Sequence, residues 1–418
     1  MGSLSERIIS VRDKSDHVLV LPWEIDSVVT LRGSFRTQPD FSAGDNLLQD
    51  LASGLLDKGT TSRSKLELAQ ILEDRGASIV FAPNGPRIRF SVKCLVGDLD
   101  LVIELLVEQL DSPAFDEDEF GLLKGRVLAN IQRQKQETSL MAGAALSRIL
   151  YQASHPQYIR PLEEVESTLA EITVAEVRNY YELKCRRSDL MVCVVGDVKG
   201  YDPGDLLTQL SFKSKGSRKA QDTYELAASE SGSSHVEIAD RSNIDVRMGH
   251  ALDLRSTNPD YLALRLGVFV LGGNFSSRLM SSIRDRDGLT YGIRSTLSGI
   301  TSLHGGAWTT SVTLSQENVE KGIDATRTEI DAFVKSGITK GELEEKKRTL
   351  TGSYQVQLST TGGIASRLLT NLERGDELDQ IDSYPEKIKS LNLSKVNEMV
   401  TSMLHPDRLF VASAGSMQ

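Results

Sequence analysis

Asp189-Leu190-Met191-Val192, running on to Gly196, and Arg408-Leu409-Phe410-Val411, running on to Gly415, are one apolar strand pattern written twice. Two other pairs share the spacing. Ser147-Arg148-Ile149-Leu150 returns as Ser366-Arg367-Leu368-Leu369. The run from Glu171 to Val177 returns as Ser390 to Val396. All three pairs keep a single offset of 219 residues, so the chain reads as two homologous halves. With only two copies, each far longer than a solenoid repeat, this is a duplicated domain. The expected boundaries are 1–199 for the first half, 200–234 for a linker rich in Ser, Lys and Gly, and 235–418 for the second.

Each half reads as α+β, a mainly antiparallel sheet packed with helices. Ile88, Phe90, Val92 and Cys94 alternate with polar residues, which predicts a half-buried strand. Ser64 and Glu67 form a capping box ahead of Leu68 and Ile71, predicting a helix start. Leu48, Leu51 and Leu55 share one face of the preceding helix, with Gly59 as its expected stop. Further helices are expected at 101–110 and 117–136, the second opening on the acidic run Asp116 to Glu119.

Composition excludes several classes. In 418 residues, 39% are hydrophobic and 25% charged, as in ordinary globular proteins. A net charge of −10 argues against a protein that tracks nucleic-acid phosphates. Cys94, Cys185 and Cys193 are an odd, sparse set, and Cys94 and Cys193 fall in apolar or alternating runs as buried thiols, so no disulfide framework is expected. Met1 to Ser10 lacks a signal-peptide core, and no run approaches a membrane span. Cytoplasm is therefore the expected location, with any targeting segment absent or removed. The six His are scattered without an i, i+4 pair. His155 and His405 each precede Pro and are expected in loops without a special role.

Two stretches bear on chemistry. The first, Asp50-Leu51-Ala52-Ser53-Gly54, ends in Asp57-Lys58-Gly59-Thr60. It resembles the helix of the inverted zinc peptidases, the pitrilysin and mitochondrial processing peptidase superfamily. There the run is His-x-x-Glu-His, whose two His hold zinc and whose Glu activates water. The matching positions here are Asp50, Ser53 and Gly54, and that family's downstream Glu ligand falls on Asn130. One carboxylate does not hold zinc, so no metal is expected on this chain.

The second stretch is Gly272-Gly273-Asn274-Phe275-Ser276-Ser277-Arg278-Leu279, followed by Arg284 and, seven residues on, Tyr291. A helix is expected before it, from Asn258 through Leu271, and a strand from Gly288-Leu289-Thr290-Tyr291. This run is similar to the C-terminal half of the same superfamily. The resemblance implies that Arg284 and Tyr291 contact substrate about the scissile carbonyl, and that Gly272, Gly273, Asn274 and Phe275 line the substrate. Read as residues alone, without the flanking run, Arg284 is an exposed helix-end cation and Tyr291 a cross-strand packing aromatic. The two glycines equally permit a tight turn between helices.

The resemblance implies a non-catalytic subunit of a heterodimeric zinc metallopeptidase. A homologous zinc-bearing partner would supply the metal, an extended peptide would be the substrate, and neither nucleic acid nor membrane would take part. The alternatives are a non-proteolytic scaffold of the same fold, or a separately expressed C-terminal half of a longer pitrilysin-like chain. An independent zinc enzyme with other ligands is the weakest reading, since zinc needs three or four N, O or S donors.

Overall fold

The computed structural model describes residues 3–23, 27–185, 188–198, 200–210, 224–227 and 231–417. The first half contains β1 (Ile9–Asp13), β2 (Asp16–Pro22), β3 (Val28–Arg36), α1 (Asp45–Leu55), α2 (Lys65–Glu73), β4 (Ser78–Asn84), β5 (Arg87–Leu95), α3 (Leu99–Asp111), α4 (Glu117–Gln134), α5 (Thr138–Leu150), α6 (Leu162–Glu171), α7 (Val174–Lys184) and β6 (Ser188–Gly196). After α8 (Pro203–Leu210) the order is repeated. It runs β7 (Gly232–Glu237), β8 (Asn243–Leu252), α9 (Tyr261–Gly272), a π-helix (Met280–Arg286), β9 (Ile293–Ser298), β10 (Gly306–Ser315), α10 (Val319–Ser336), α11 (Lys340–Gln357), α12 (Thr361–Arg374), α13 (Gln380–Ser390), α14 (Leu393–Met403) and β11 (Phe410–Gly415).

The first sheet has the strand order β1-β2-β6-β3-β5-β4 and the second β7-β11-β8-β10-β9. Without β1 the two orders correspond strand for strand. β6 lies between β2 and β3 as β11 lies between β7 and β8, which is the equivalence the repeated sequence predicts. Each sheet has one parallel pair, β2 with β6 and β7 with β11, and is otherwise antiparallel. The α+β class expected from sequence is therefore the observed one. In β5, Ile88, Phe90, Val92 and Cys94 are buried while Ser91 and Lys93 are not, so the period of two carries the core face.

The compact units are assembled from non-contiguous segments. One comprises Met1–Leu128, Val165–Gln221 and Tyr354–Tyr384, and the other Ala129–Glu164, Asp222–Ser353 and Pro385–Gln418. In the first unit, α12 packs on β6 and β3, where Ile364, Ala365, Leu368, Leu369 and Leu372 meet Leu19, Leu21, Cys193 and Val195. In the second, α5 packs on β11 and β8, where Ala145, Leu146 and Leu150 meet Ala307 and Ala412. Each sheet is thus covered by a helix from the other half of the sequence. A buried Leu or Ile contributes about 2 kcal/mol, so this covering helix is a main part of each core. Contiguous boundaries at 1–199 and 235–418 follow the sequence repeat, whereas the units exchange these helices.

Other local expectations are met or amended. The Ser64–Glu67 capping box forms, with both reciprocal bonds present. Gly59 does not stop α1, which ends at Leu55; its φ of +116° instead serves the turn that bridges to Ser64. The 117–136 helix ends at Gln134. The 200–234 linker is not structureless throughout. Pro203, Leu206, Leu207 and Leu210 bury one face of α8, and β7 begins at Gly232 because its backbone pairs with β11. Residues 211–223 and 228–230, the rest of that stretch, lie outside the described residues. The three cysteines are buried, and none forms a disulfide among the described residues. No helix of the described residues is long and apolar enough to cross a membrane.

Candidate functional site

The helix α1 carries the degenerate zinc positions. Leu47, Leu51, Ala52 and Leu55 are buried on it, which turns Asp50 outward to solvent. Although exposed, Asp50 is hemmed in by protein that displaces water, and this desolvation pushes its carboxyl up to about 6. Ser53 is buried, and its hydroxyl donates to the carbonyl of Asp50 at 3.3 Å, so it is turned back on its own helix. A Cβ at Gly54 would stand 3.1 Å from Leu123 Cδ2, so a larger residue there needs the end of the Leu123 side chain to give by a few tenths of an ångström. Asn130 accepts from Arg133 on the exposed side of α4. No group of three or more His, Cys, Asp or Glu suited to a metal occurs among the described residues.

The second-half residues come together. A groove of about 750 Å³ in the second unit is lined by Gly272, Gly273, Asn274, Phe275 and Tyr291, with Asp245, Arg247 and Arg294 from the sheet. Arg284 stands beside it, with its guanidinium 5.9 Å from the centre of the Phe275 ring. Tyr291 is 99% exposed and Phe275 79% exposed. At that exposure Tyr291 packs against nothing, which removes the cross-strand packing role. Arg284 donates to Asp285 at 2.9 Å, and a guanidinium has further N–H donors to offer.

Local structure explains the presentation. Arg284 lies on the π-helix, a rare form that recurs at functional sites. The strand expected from Gly288 begins only at Ile293. Gly288 takes φ +63°, and the Thr290 hydroxyl bonds the Gly292 amide at 3.1 Å and the Thr313 carbonyl at 2.7 Å. That hydroxyl ties a turn in place of strand pairing and leaves Tyr291 at its tip.

The glycines have a structural cause. A Cβ on Gly272 would fall 2.3 Å from the Ser295 amide nitrogen, and one on Gly273 would fall 2.1 Å from Phe269 Cδ2. The close approach they permit is of α9 to β9 and of the turn to its own helix.

Sequence reasoning missed the residue that holds this loop. Lys346, on α11, is 1% exposed. Its ammonium donates to Asn274 Oδ1 at 3.1 Å, to the Ser276 carbonyl at 3.0 Å and hydroxyl at 2.6 Å, and to Glu345 at 2.8 Å. All three of its donors are thereby engaged, and Phe275 is presented from a fixed base. Arg278 adds a second tie, bonding Glu342 at 2.7 Å and the Gly337 carbonyl at 2.8 Å. Desolvation works to raise the Glu342 carboxyl, but the bonds from Arg278 and Thr339 outweigh it and hold it at about 2. The only sequence signal for Lys346 is a lysine on a helix dense in charge, which reads as solvated.

Residues 171–350 match a family model described as the inactive domain of peptidase M16. The non-peptidase homolog YmxG of Helicobacter pylori is 25% identical over 359 residues, covering 84% of this chain and 81% of that protein. A protein of Bacillus subtilis described as an uncharacterized zinc protease, also YmxG, is 22% identical and covers 84% of each chain. Among solved structures, a peptidase M16 inactive domain from Pseudomonas fluorescens superposes with a TM-score of 0.87 at 22% identity over 98% of both chains. The periplasmic protease PqqL of Escherichia coli gives 0.83 at 16% identity, covering 99% of this chain and 46% of that one. At these identities the structural likeness is one of fold.

Proposed function

We propose, for a protein of the inactive M16 type related to the pitrilysin-like proteases, that this chain is the non-zinc subunit of a heterodimeric metallopeptidase. Its partner would be a homologous chain bearing the zinc. The observation that carries this reading is the contrast between the two motifs. The metal positions Asp50, Ser53 and Gly54 offer no ligand set, while Tyr291 stands open to solvent at a formed groove with the half-exposed Arg284 beside it.

The chemistry follows from what such groups do. When water adds to a peptide carbonyl, the oxygen gains negative charge. A guanidinium and a phenol that donate to it stabilise that charge more than they stabilise the neutral carbonyl. Gly272 to Phe275 would line the bound peptide, and Lys346 would hold that lining in place. An extended peptide can add to an open sheet edge, and β4 and β9 are edge strands of their sheets.

A second reading, a scaffold that binds without cleavage, is favoured by the relative described as a non-peptidase homolog. Mixing this chain with a zinc-bearing homologue encoded beside it separates the two. The expected result is peptidase activity that neither chain has alone. Arg284→Ala or Tyr291→Phe should leave assembly intact and reduce turnover about a hundredfold. A stable complex inactive on every extended peptide tried would reject the peptidase reading in favour of the scaffold. Full activity in the double variant would remove the two residues from the mechanism.

A further inference from the structure

The floor of the groove carries a charge pattern that the roles of Arg284 and Tyr291 do not use. β10 runs between β8 and β9, and Ser311 is the register partner of Arg247 on one side and of Arg294 on the other. Register partners project their side chains from the same face of a sheet. Neighbouring strands stand about 4.8 Å apart, so the two arginines start about 10 Å apart across one small serine. Two guanidinium groups on side chains of that length can converge on one anion above Ser311.

Neither arginine is neutralised by contact. Arg247 is half-buried and donates to the Ser139 hydroxyl, and no carboxylate contacts Arg247 or Arg294 among the described residues. The acid in the adjacent row, Asp245, lines the same groove and offsets one of the two positive charges. One of its oxygens accepts from Thr138 at 2.6 Å and the other from Thr313 at 2.7 Å. Burial lowers the pKa of Arg247 from its ordinary value, with Asp245 opposing. Two guanidinium groups against the single carboxylate of Asp245 leave the groove floor with a net positive charge, which suits an anionic ligand group.

We propose that Arg247 and Arg294 form a specificity subsite that takes the carboxylate side chain of an acidic residue in a bound extended peptide. This rests on the reading of the groove as a peptide site. The exposed rings of Phe275 and Tyr291 line the same groove and suit an apolar residue of that peptide. Arginine pairs with carboxylates through two parallel N–H donors, which favours it over lysine for this task.

The test uses the whole chain and fluorescein-labelled ten-residue peptides identical except at one position, Glu, Gln or Lys, two residues from a Phe. Each is made with a free and an amidated C-terminus. The Glu peptide should bind about tenfold more tightly than the Gln peptide whichever terminus it carries, and the Lys peptide should bind least. In Arg247→Gln/Arg294→Gln the Glu preference should disappear, while binding of the Gln peptide and the thermal midpoint stay as in the parent. Equal binding of Glu and Gln peptides to the parent overturns the subsite and leaves the peptide reading standing. A preference that follows the free C-terminus also overturns it, as does a Glu preference that survives in the double variant. Absence of binding by all peptides at millimolar concentration overturns both the subsite and the peptide reading.

Discussion

Replacing His155 by Phe should change how stability depends on pH, in a direction and amount set by its surroundings. His155 is 1% exposed. Its ring stacks on Tyr151 at 4.5 Å between centres, meets His304 edge-on at 4.5 Å and Tyr224 at 6.1 Å. Its Nδ1 accepts from the Gln157 amide at 3.0 Å, a bond that protonation there would break. Burial, with the neighbouring His304 second, pushes its pKa from 6.5 down to about 3.

The folded state therefore binds fewer protons at this site than the unfolded state does. Its contribution is complete above pH 6.5 and is lost as pH falls from 6.5 toward 3. Each pH unit in that window costs about 1.4 kcal/mol, hence about 2 kcal/mol at pH 5. Phe keeps the ring but strands the Gln157 amide, a cost of about 1 kcal/mol that does not depend on pH. In urea unfolding at pH 7.5, 6 and 5, we expect His155→Phe to be less stable than the parent at pH 7.5 and more stable at pH 5. Titrating groups away from this cluster are present in both proteins and cancel in the difference. A gap that is the same at all three pH values would refute the argument.

Gly272→Ala should lower stability by about 1–3 kcal/mol, because its Cβ would meet the β9 backbone at 2.3 Å. Gly292→Ala, with nothing within 4 Å of its Cβ, should change the thermal midpoint little and serves as the control. Lys346→Met should cost about 2 kcal/mol and speed hydrogen exchange at the Ser277 amide, which donates to the Asn274 carbonyl at 3.1 Å; unchanged exchange would show that the loop holds itself. Elemental analysis of the purified chain should find no stoichiometric zinc. Placing His at 50 and 54 should not by itself restore it, since the new Cβ at 54 meets Leu123 and Asn130 still lacks a carboxylate. About one zinc per parent chain would contradict this.

How much of this was legible beforehand differs from residue to residue. His155 precedes a proline and does lie in a loop, but nothing in its neighbours announces a buried position. Tyr151 is four residues away, but Tyr224 and His304, which complete the enclosure, come from distant parts of the sequence. Lys346 was hidden in the same way, because a lysine on a charged helix looks alike whether it meets water or a loop 70 residues earlier. Arg247 and Arg294 become neighbours only through a strand that lies far from Arg247 in sequence.

The sequence by itself determined the duplication, the class of each half and the loss of the metal ligands. Repeats, period-two strands and missing side chains are local properties, and each survives in a linear reading. The tertiary structure alone decided which sheet each covering helix protects. An amphipathic helix such as α12 shows that it has an apolar face, with Ile364, Leu368 and Leu372 on it, but two homologous sheets offer it similar apolar surfaces. Hydrophobic burial is non-directional, so composition does not distinguish them. The choice falls to the whole topology, which sends α12 to the first sheet and α5 to the second.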